Sequence, residues 1–236
     1  MINKEGITFG EFDSVKENLL LTYRDDPPPD EKEIRDAALF MQGDYDFSRM
    51  LGETFRENRS LTYEFFIKEN NLENRKTIEI KYENMLLNQG RGRIYDTANP
   101  GYYFIGKCVN AEVALDTSWM QLKLIITFDC YPYMISELQE GHDIWDEFNF
   151  ELDIAQITKF EVNGTKNITL YNTGSSSLAP EVKTTGAIKI TKGSYILEID
   201  DAGTYSSEQL RLIHGGNKIK IEGKATIEFV FYKELI

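Results

Sequence analysis

LYNTGSSSLAPEVKTTGAIKITKGSYILEIDDAGTYSSEQLRLIHGGNKIKIEGKATIEFVFYKELI, residues 170–236, decides the fold class. Turn residues cut it at close intervals into short alternating runs, the written form of a self-contained antiparallel β-sandwich. Side chains along a strand alternate between its two faces, so Tyr195, Leu197 and Ile199 fall on one face and Ile196 and Glu198 on the other. The rhythm returns at Ile219 and Ile221 after the Gly215-Gly216 turn, and at Ile227, Phe229 and Phe231 after Gly223. Asp200-Asp201-Ala202-Gly203 reads as a hairpin turn, since the later oxygen ligands of a calcium loop are missing.

The order of punctuation is more specific than the strands. Asn172 and Gly174 are followed by a lone Pro180, by Asp200 closing a strand, and by Gly215-Gly216-Asn217 opening a Lys-Ile-Lys-Ile-Glu-Gly strand. In this order the stretch resembles the C-terminal, galectin-like β-sandwich of the distal tail proteins (Dit) of siphophages, which join the tail tube to the tip or baseplate. The resemblance continues upstream, where Phe128-Asp129-Cys130 enters Tyr131-Pro132-Tyr133, much as the N-terminal domain of that family ends. It implies a mainly β protein with one helix: a partly open β-barrel over residues 1–137, six copies of which close a ring around the tail channel, then a galectin-like β-sandwich over residues 138–236. No long insertion interrupts either half, so the short form of the family is implied, without an added carbohydrate-binding module.

Composition is that of a soluble globular protein. The chain has 236 residues, 41% hydrophobic and 28% charged, with a formal charge of -13 spread along its length. Phosphate contacts need Lys and Arg, so that charge argues against tight nucleic-acid binding; DNA is expected only as passing traffic in the channel. No apolar run approaches the ~20 residues of a membrane helix. Met1-Ile2-Asn3-Lys4-Glu5 leads into no apolar signal segment, so assembly in the host cytoplasm is expected, and buried reduced thiols at Cys108 and Cys130 with it.

From the N-terminus, Ile7, Phe9 and Phe12 around Gly10 predict a strand and turn, and residues 18–23 a second strand. Pro27, Pro28 and Pro29 between Asp26 and Asp30 hold an extended backbone with no N–H to offer a ladder, which predicts a stiff loop or interaction arm. Leu61, Tyr63, Phe65 and Ile67 alternate as a strand, and Asn70-Asn71 reads as a turn. Ile78, Tyr82, Met85 and Leu86 then change to the helical period, predicting one amphipathic helix over residues 74–88. The Gly90-Arg91-Gly92-Arg93 stretch reads as an exposed turn, followed by three strands over residues 102–109, 111–115 and 119–130. Trp145, Phe148, Phe150, Leu152 and Ile154 predict the first sandwich strand, with Asn163-Gly164 as a two-residue hairpin turn.

Little in this pattern carries catalytic chemistry. His142 and His214 have no ligand-like spacing to Cys or to each other. Asp143, Asp146, Glu147, Glu151 and Asp153 sit mostly on one alternating face, which is the pattern of a solvated strand. Ser175, Ser176 and Ser177 lack a nucleophile elbow. No enzymatic activity, cofactor or metal is expected. The resemblance implies a structural virion component at the tail tip, with further copies of itself, the tail tube protein, a tail-tip protein and a receptor-binding protein as partners. The other reading is a carbohydrate-binding module for host cell-wall sugars, with Trp145 as its stacking ring.

Overall fold

A computed structural model describes residues 5–37, 39–50, 52–67, 72–116, 121–142 and 154–236. They pack as two compact units, Met1–Met134 with Ile236, and Ile135–Leu235. Trp119, Asn70-Asn71, the predicted strand from Trp145 to Leu152 and the carboxylates from Asp143 to Asp153 lie outside the described residues.

The first unit is an antiparallel sheet rolled over one helix. Its strands are β1 (Ile7–Phe9), β2 (Phe12–Asp13), β3 (Leu20–Asp25), β4 (Arg35–Asp36), β5 (Tyr45–Asp46), β6 (Arg59–Ile67), β7 (Arg91–Asp96), β8 (Tyr102–Asp116) and β9 (Gln121–Cys130). The order across the sheet is β2-β1-β7-β8-β9-β6-β3, while β4 and β5 pair apart from it. Helix α1 (Arg75–Leu87) buries Tyr82 and Leu86 and packs Ile78 and Met85 on the core, the face its period predicts. Its stop is the predicted one: Asn88 is the C-cap, and Gly90 has a φ of 70°.

Alternation holds where a ladder is regular. Leu61, Tyr63, Phe65 and Ile67 of β6 meet Leu122, Leu124, Ile126 and Phe128 of β9 in one core, joined by Phe9 and Phe12. Phe9 meets Phe128 edge-on at 5.1 Å and Phe12 meets Tyr82 at 6.2 Å. The two strands predicted over residues 102–115 are one, β8. A bulge between Cys108 and Asn110 shifts its register, leaves Val109 exposed and moves burial from Phe104 and Cys108 to Ala111 and Val113. That change of parity is what reads as a break. Arg91, Gly92 and Arg93 lie inside β7 rather than in an exposed turn, and the Arg93 guanidinium sits 4.4 Å over the Tyr103 ring. The second strand runs Leu20–Asp25, because Asn18 takes a left-handed φ of 56° before it.

In the second unit β10 (Met134–Ser136) pairs with β17 (Glu234–Leu235). Between them come β11 (Lys159–Asn172), β12 (Glu181–Thr184), β13 (Ile188–Lys192), β14 (Tyr195–Ile199), β15 (Gly203–Ser206) and β16 (Gly215–Val230). Asn163-Gly164 is not a hairpin turn. It lies within β11, which pairs with β16 in unbroken register from Lys159 opposite Glu228 to Asn172 opposite Gly215. Gly164 stands opposite Gly223, and both have positive φ, 95° and 142°. The two long strands bend there together.

Beyond the bend, β16 takes a different neighbour on its other edge: β13 beside residues 220–223 and β12 beside residues 227–230. Asp200-Asp201-Ala202 is not a hairpin turn either, because β14 pairs with β13 and β15 with β12, so the chain crosses from one edge of the sheet to the other. One bent sheet thereby supplies both layers of a β-sandwich, with Ile188, Ile190, Ile199, Ile219, Ile221, Val182, Ile227 and Phe229 in a single core. The fold is therefore mainly β with one helix among the described residues, a partly open barrel followed by a galectin-like sandwich.

The bend sets a stability test. A methyl group on Gly223 would come 2.6 Å from the Ala187 carbonyl oxygen, whereas one on Gly164 meets open space. Gly223→Ala is expected to cost about 3 kcal/mol, and Gly164→Ala about 1 kcal/mol of backbone strain alone. Urea unfolding of the two variants checks the difference.

Candidate assembly site

Polar side chains stitch the rolled sheet of the first unit. Arg24 on terminal strand β3 reaches Asp96 at the end of β7, Nε donating to Oδ2 at 2.9 Å and Nη2 to Oδ1 at 2.9 Å. Asp96 also accepts from the Tyr63 hydroxyl at 3.0 Å and the Ala98 N–H at 2.9 Å, and its side chain is fully buried. Glu5 takes another guanidinium nitrogen of Arg24 at 3.1 Å. Burial, with the Asp96 charge next to it, pushes the Tyr63 phenol far above its ordinary value, so it remains a donor.

A second arginine fixes the start of the proline segment. Arg59 stands at an inward position of β6, 5% exposed, 5.0 Å over the Phe104 ring, with its guanidinium on the Asp26 carboxylate and its Nη1 donating to the Pro132 carbonyl at 3.5 Å. Burial raises the Asp26 pKa, partly offset by Arg59. Arg59 thus holds together the two proline-containing loops singled out in the sequence. Tyr131 donates its N–H to the Ile105 carbonyl at 2.7 Å, its ring lies 5.7 Å from that of Tyr133, and Tyr133 is buried. Pro27 and Pro28 are exposed and Pro29 is buried.

From Pro29 the chain leaves as a long hairpin and returns at Arg56. Rungs link Asp30 to Glu57, Lys32 to Phe55 and Ile34 to Phe47, with β4 and β5 further out. Glu31 and Arg49 form a two-pronged ion pair at 2.9 and 3.0 Å across it. This arm exposes apolar side chains along its length: Ile34, Leu39, Phe40, Tyr45, Phe47, Met50 and Phe55. Leu39 is 86% and Phe40 97% exposed, and Phe40 takes a left-handed φ of 67°, a conformation unfavourable for a bulky residue.

In the second unit, Asn172, Gly174, Gly215, Gly216 and Asn217 gather at one end of the sandwich, Asn172 standing opposite Gly215. Buried Asn172 donates to the Ser176 and Leu212 carbonyls at 2.7 and 2.9 Å and accepts from the Gly174 N–H at 2.9 Å. Asn217 accepts from the Ile213 N–H at 3.0 Å and donates to the Ile213 and Gly215 carbonyls. Each amide satisfies backbone groups of the loops around it. A Cβ on Gly174 would strike the Glu234 backbone at 2.7 Å. Pro180 is buried just before β12, and Asp200 is exposed after β14. His214 faces solvent, with Nδ1 2.8 Å from the Gly174 carbonyl oxygen. Among the described residues, no three His, Cys, Asp or Glu side chains gather as metal ligands.

The fold so built is that of phage tail hub proteins of the Dit type. The described chain superimposes on a crystal structure of SPP1 Dit (gp 19.1), presented there as a paradigm of the hub adsorption apparatus of phages infecting Gram-positive hosts, with a TM-score of 0.64 over 98% of this chain and 99% of that one at 13% identity. Two structures of the phage p2 baseplate in its activated conformation, with Sr and with Ca, match 96% and 98% of this chain at TM-scores of 0.37 and 0.38 and identities of 8% and 9%, too loosely to bear on the fold. No family model and no curated protein matches the sequence.

Arg24, Arg59 and Asp96 were not singled out in the sequence, and Tyr63 only as an inward strand residue, although Arg59 occupies the inward phase of an alternating strand, which is a readable sign of a buried charge. The stitch is testable: Asp96→Asn is expected to lower stability by about 3 kcal/mol through a half-paired guanidinium, and Tyr63→Phe by about 1 kcal/mol, read from urea midpoints. Burial pushes the Cys108 thiol up to about 11 and the Cys130 thiol up to about 12. Both stay protonated at neutral pH, so neither is expected to react with a disulfide reagent until the chain unfolds.

Proposed function

We propose that this protein is a structural tail hub: six copies close a ring through residues 1–137, and residues 138–236 dock other tail components. The observation that supports this most directly is the arm. It is anchored by Arg59 and Glu31–Arg49, yet it carries Leu39, Phe40 and Met50 outward, each more than two-thirds exposed. Covering such side chains contributes about 1.5–3 kcal/mol apiece. Among the described residues nothing covers them, and a neighbouring copy would.

An arm on one face that grips a different face of the next copy makes a heterologous contact, and heterologous contacts repeated by rotation close rings. The function is then positional. The ring sits in the virion at the tail tip, is assembled in the host cytoplasm, receives the tail tube protein on one side and a tail-tip protein on the other, and holds a receptor-binding protein at its periphery, while DNA passes through the channel. The acidic surface keeps that DNA from adhering.

The purified protein is expected to form annular particles in electron micrographs, alone or with its tube and tip partners. Leu39→Ser with Phe40→Ser is expected to leave thermal unfolding of the monomer unchanged and to abolish the rings in light scattering. A wild-type chain that stays monomeric with those partners present overturns the reading.

A further inference from the structure

The arginines of the Gly90-Arg91-Gly92-Arg93 stretch lie on a strand face that the fold does not use. Ile94 and Phe104 belong to the core, so the alternate positions of β7 and β8, Arg91, Arg93, Tyr95, Tyr103, Ile105 and Lys107, form the opposite face of the sheet. Arg91, Arg93 and Lys107 are exposed, and Tyr95 and Ile105 are half-buried. The Arg93 guanidinium lies over the Tyr103 ring, which meets the Tyr95 ring at 5.8 Å. The face is therefore basic over an aromatic floor, in a chain of net charge -13.

Arg91 and Lys107 stand directly opposite each other in the ladder. Like charges so placed destabilise a sheet, and among the described residues neither makes an ion pair that would offset the cost. Asp129 is the cross-strand neighbour of Lys107 on its other side, but its carboxylate accepts from the Asn58 amide at 3.0 Å. Carboxylates brought from outside the chain would turn this repulsion into attraction.

The tip of the arm has the matching chemistry. From Asp36 to Asp46 the sequence holds three aspartates and no lysine or arginine, with exposed Leu39, Phe40 and Tyr45 among them. Asp36 and Asp44 are exposed and make no ion pair among the described residues. The cations nearest in sequence are engaged elsewhere, Arg35 with Glu33 at 3.1 Å and Arg49 with Glu31. A strand from Asp30 to Phe40 extends roughly 30 Å, about twice the radius of gyration of a domain of this size, so the tip can cross onto a neighbour. We infer that the basic face of β7 and β8 receives the acidic arm tip of a second copy of this chain. The aspartates meet Arg91 and Lys107, and the apolar side chains of the tip cover Tyr95 and Ile105. The inference rests on the ring reading above and names the surface that the arm grips.

Annular particles of the full-length protein, alone and with its tube and tip partners, are counted in electron micrographs over a concentration series. Arg91→Glu with Lys107→Glu is expected to raise the concentration at which rings form by at least about tenfold, because it sets like charges against each other across the contact. Asp36→Lys with Asp44→Lys is expected to do the same from the other side. All four exchanges in one chain are expected to restore rings near the wild-type concentration, which two folding defects combined would not do. A wild-type chain that forms no rings removes the ring reading and this inference with it. Wild-type rings that persist when the basic face is reversed, or that the four exchanges fail to restore, overturn this inference alone and leave the ring reading standing.

Discussion

The Arg24–Asp96 pair is the interaction on which the first unit turns. The ladder path from β7 to β3 runs through three intervening strands, yet the side chains of its two ends meet with two hydrogen bonds of 2.9 Å each. An untwisted sheet would hold them far apart. The pair therefore records the curl of the sheet into a barrel that its terminal strands do not close by backbone pairing. A buried ion pair is a weak source of net stability, because desolvation offsets most of its attraction. Here it acts geometrically: with Tyr63 and the Ala98 N–H also on Asp96, every alternative curvature leaves a buried carboxylate short of partners.

The second unit solves the corresponding problem with backbone freedom. Two long strands bend together where Gly164 faces Gly223, and one bent ladder supplies both layers of the sandwich. The amides of Asn172 and Asn217 then satisfy the loops at one end. What the first unit leaves outward is an apolar arm.

Much of this was legible before any coordinates. Alternation in β6 and β9 and the change to helical period at Ile78 read directly into the structure, because local burial sets those patterns, whereas the two strands read on either side of Gly223 are one, β16. The errors share a cause. Asn163-Gly164 carries the local signal of a hairpin, and positive φ is indeed required at Gly164; whether the chain reverses or merely bends there depends on β16, more than fifty residues away. The bulge at Val109 looked like a strand end because parity changed. Asp200-Asp201-Ala202-Gly203 looked like a hairpin because a crossing between sheet edges begins with the same residues.

By itself, the sequence determined the mainly β class of fold, the helix over residues 75–87 and the inward phase of most strands, since each follows from the periodicity of side chains near one another along the chain. Tertiary structure alone decided which strands are neighbours, that Arg24 meets Asp96 and Arg59 meets Asp26, and that Leu39 and Phe40 stay uncovered. Those are relations between residues far apart in sequence, set by how the sheet curls and bends.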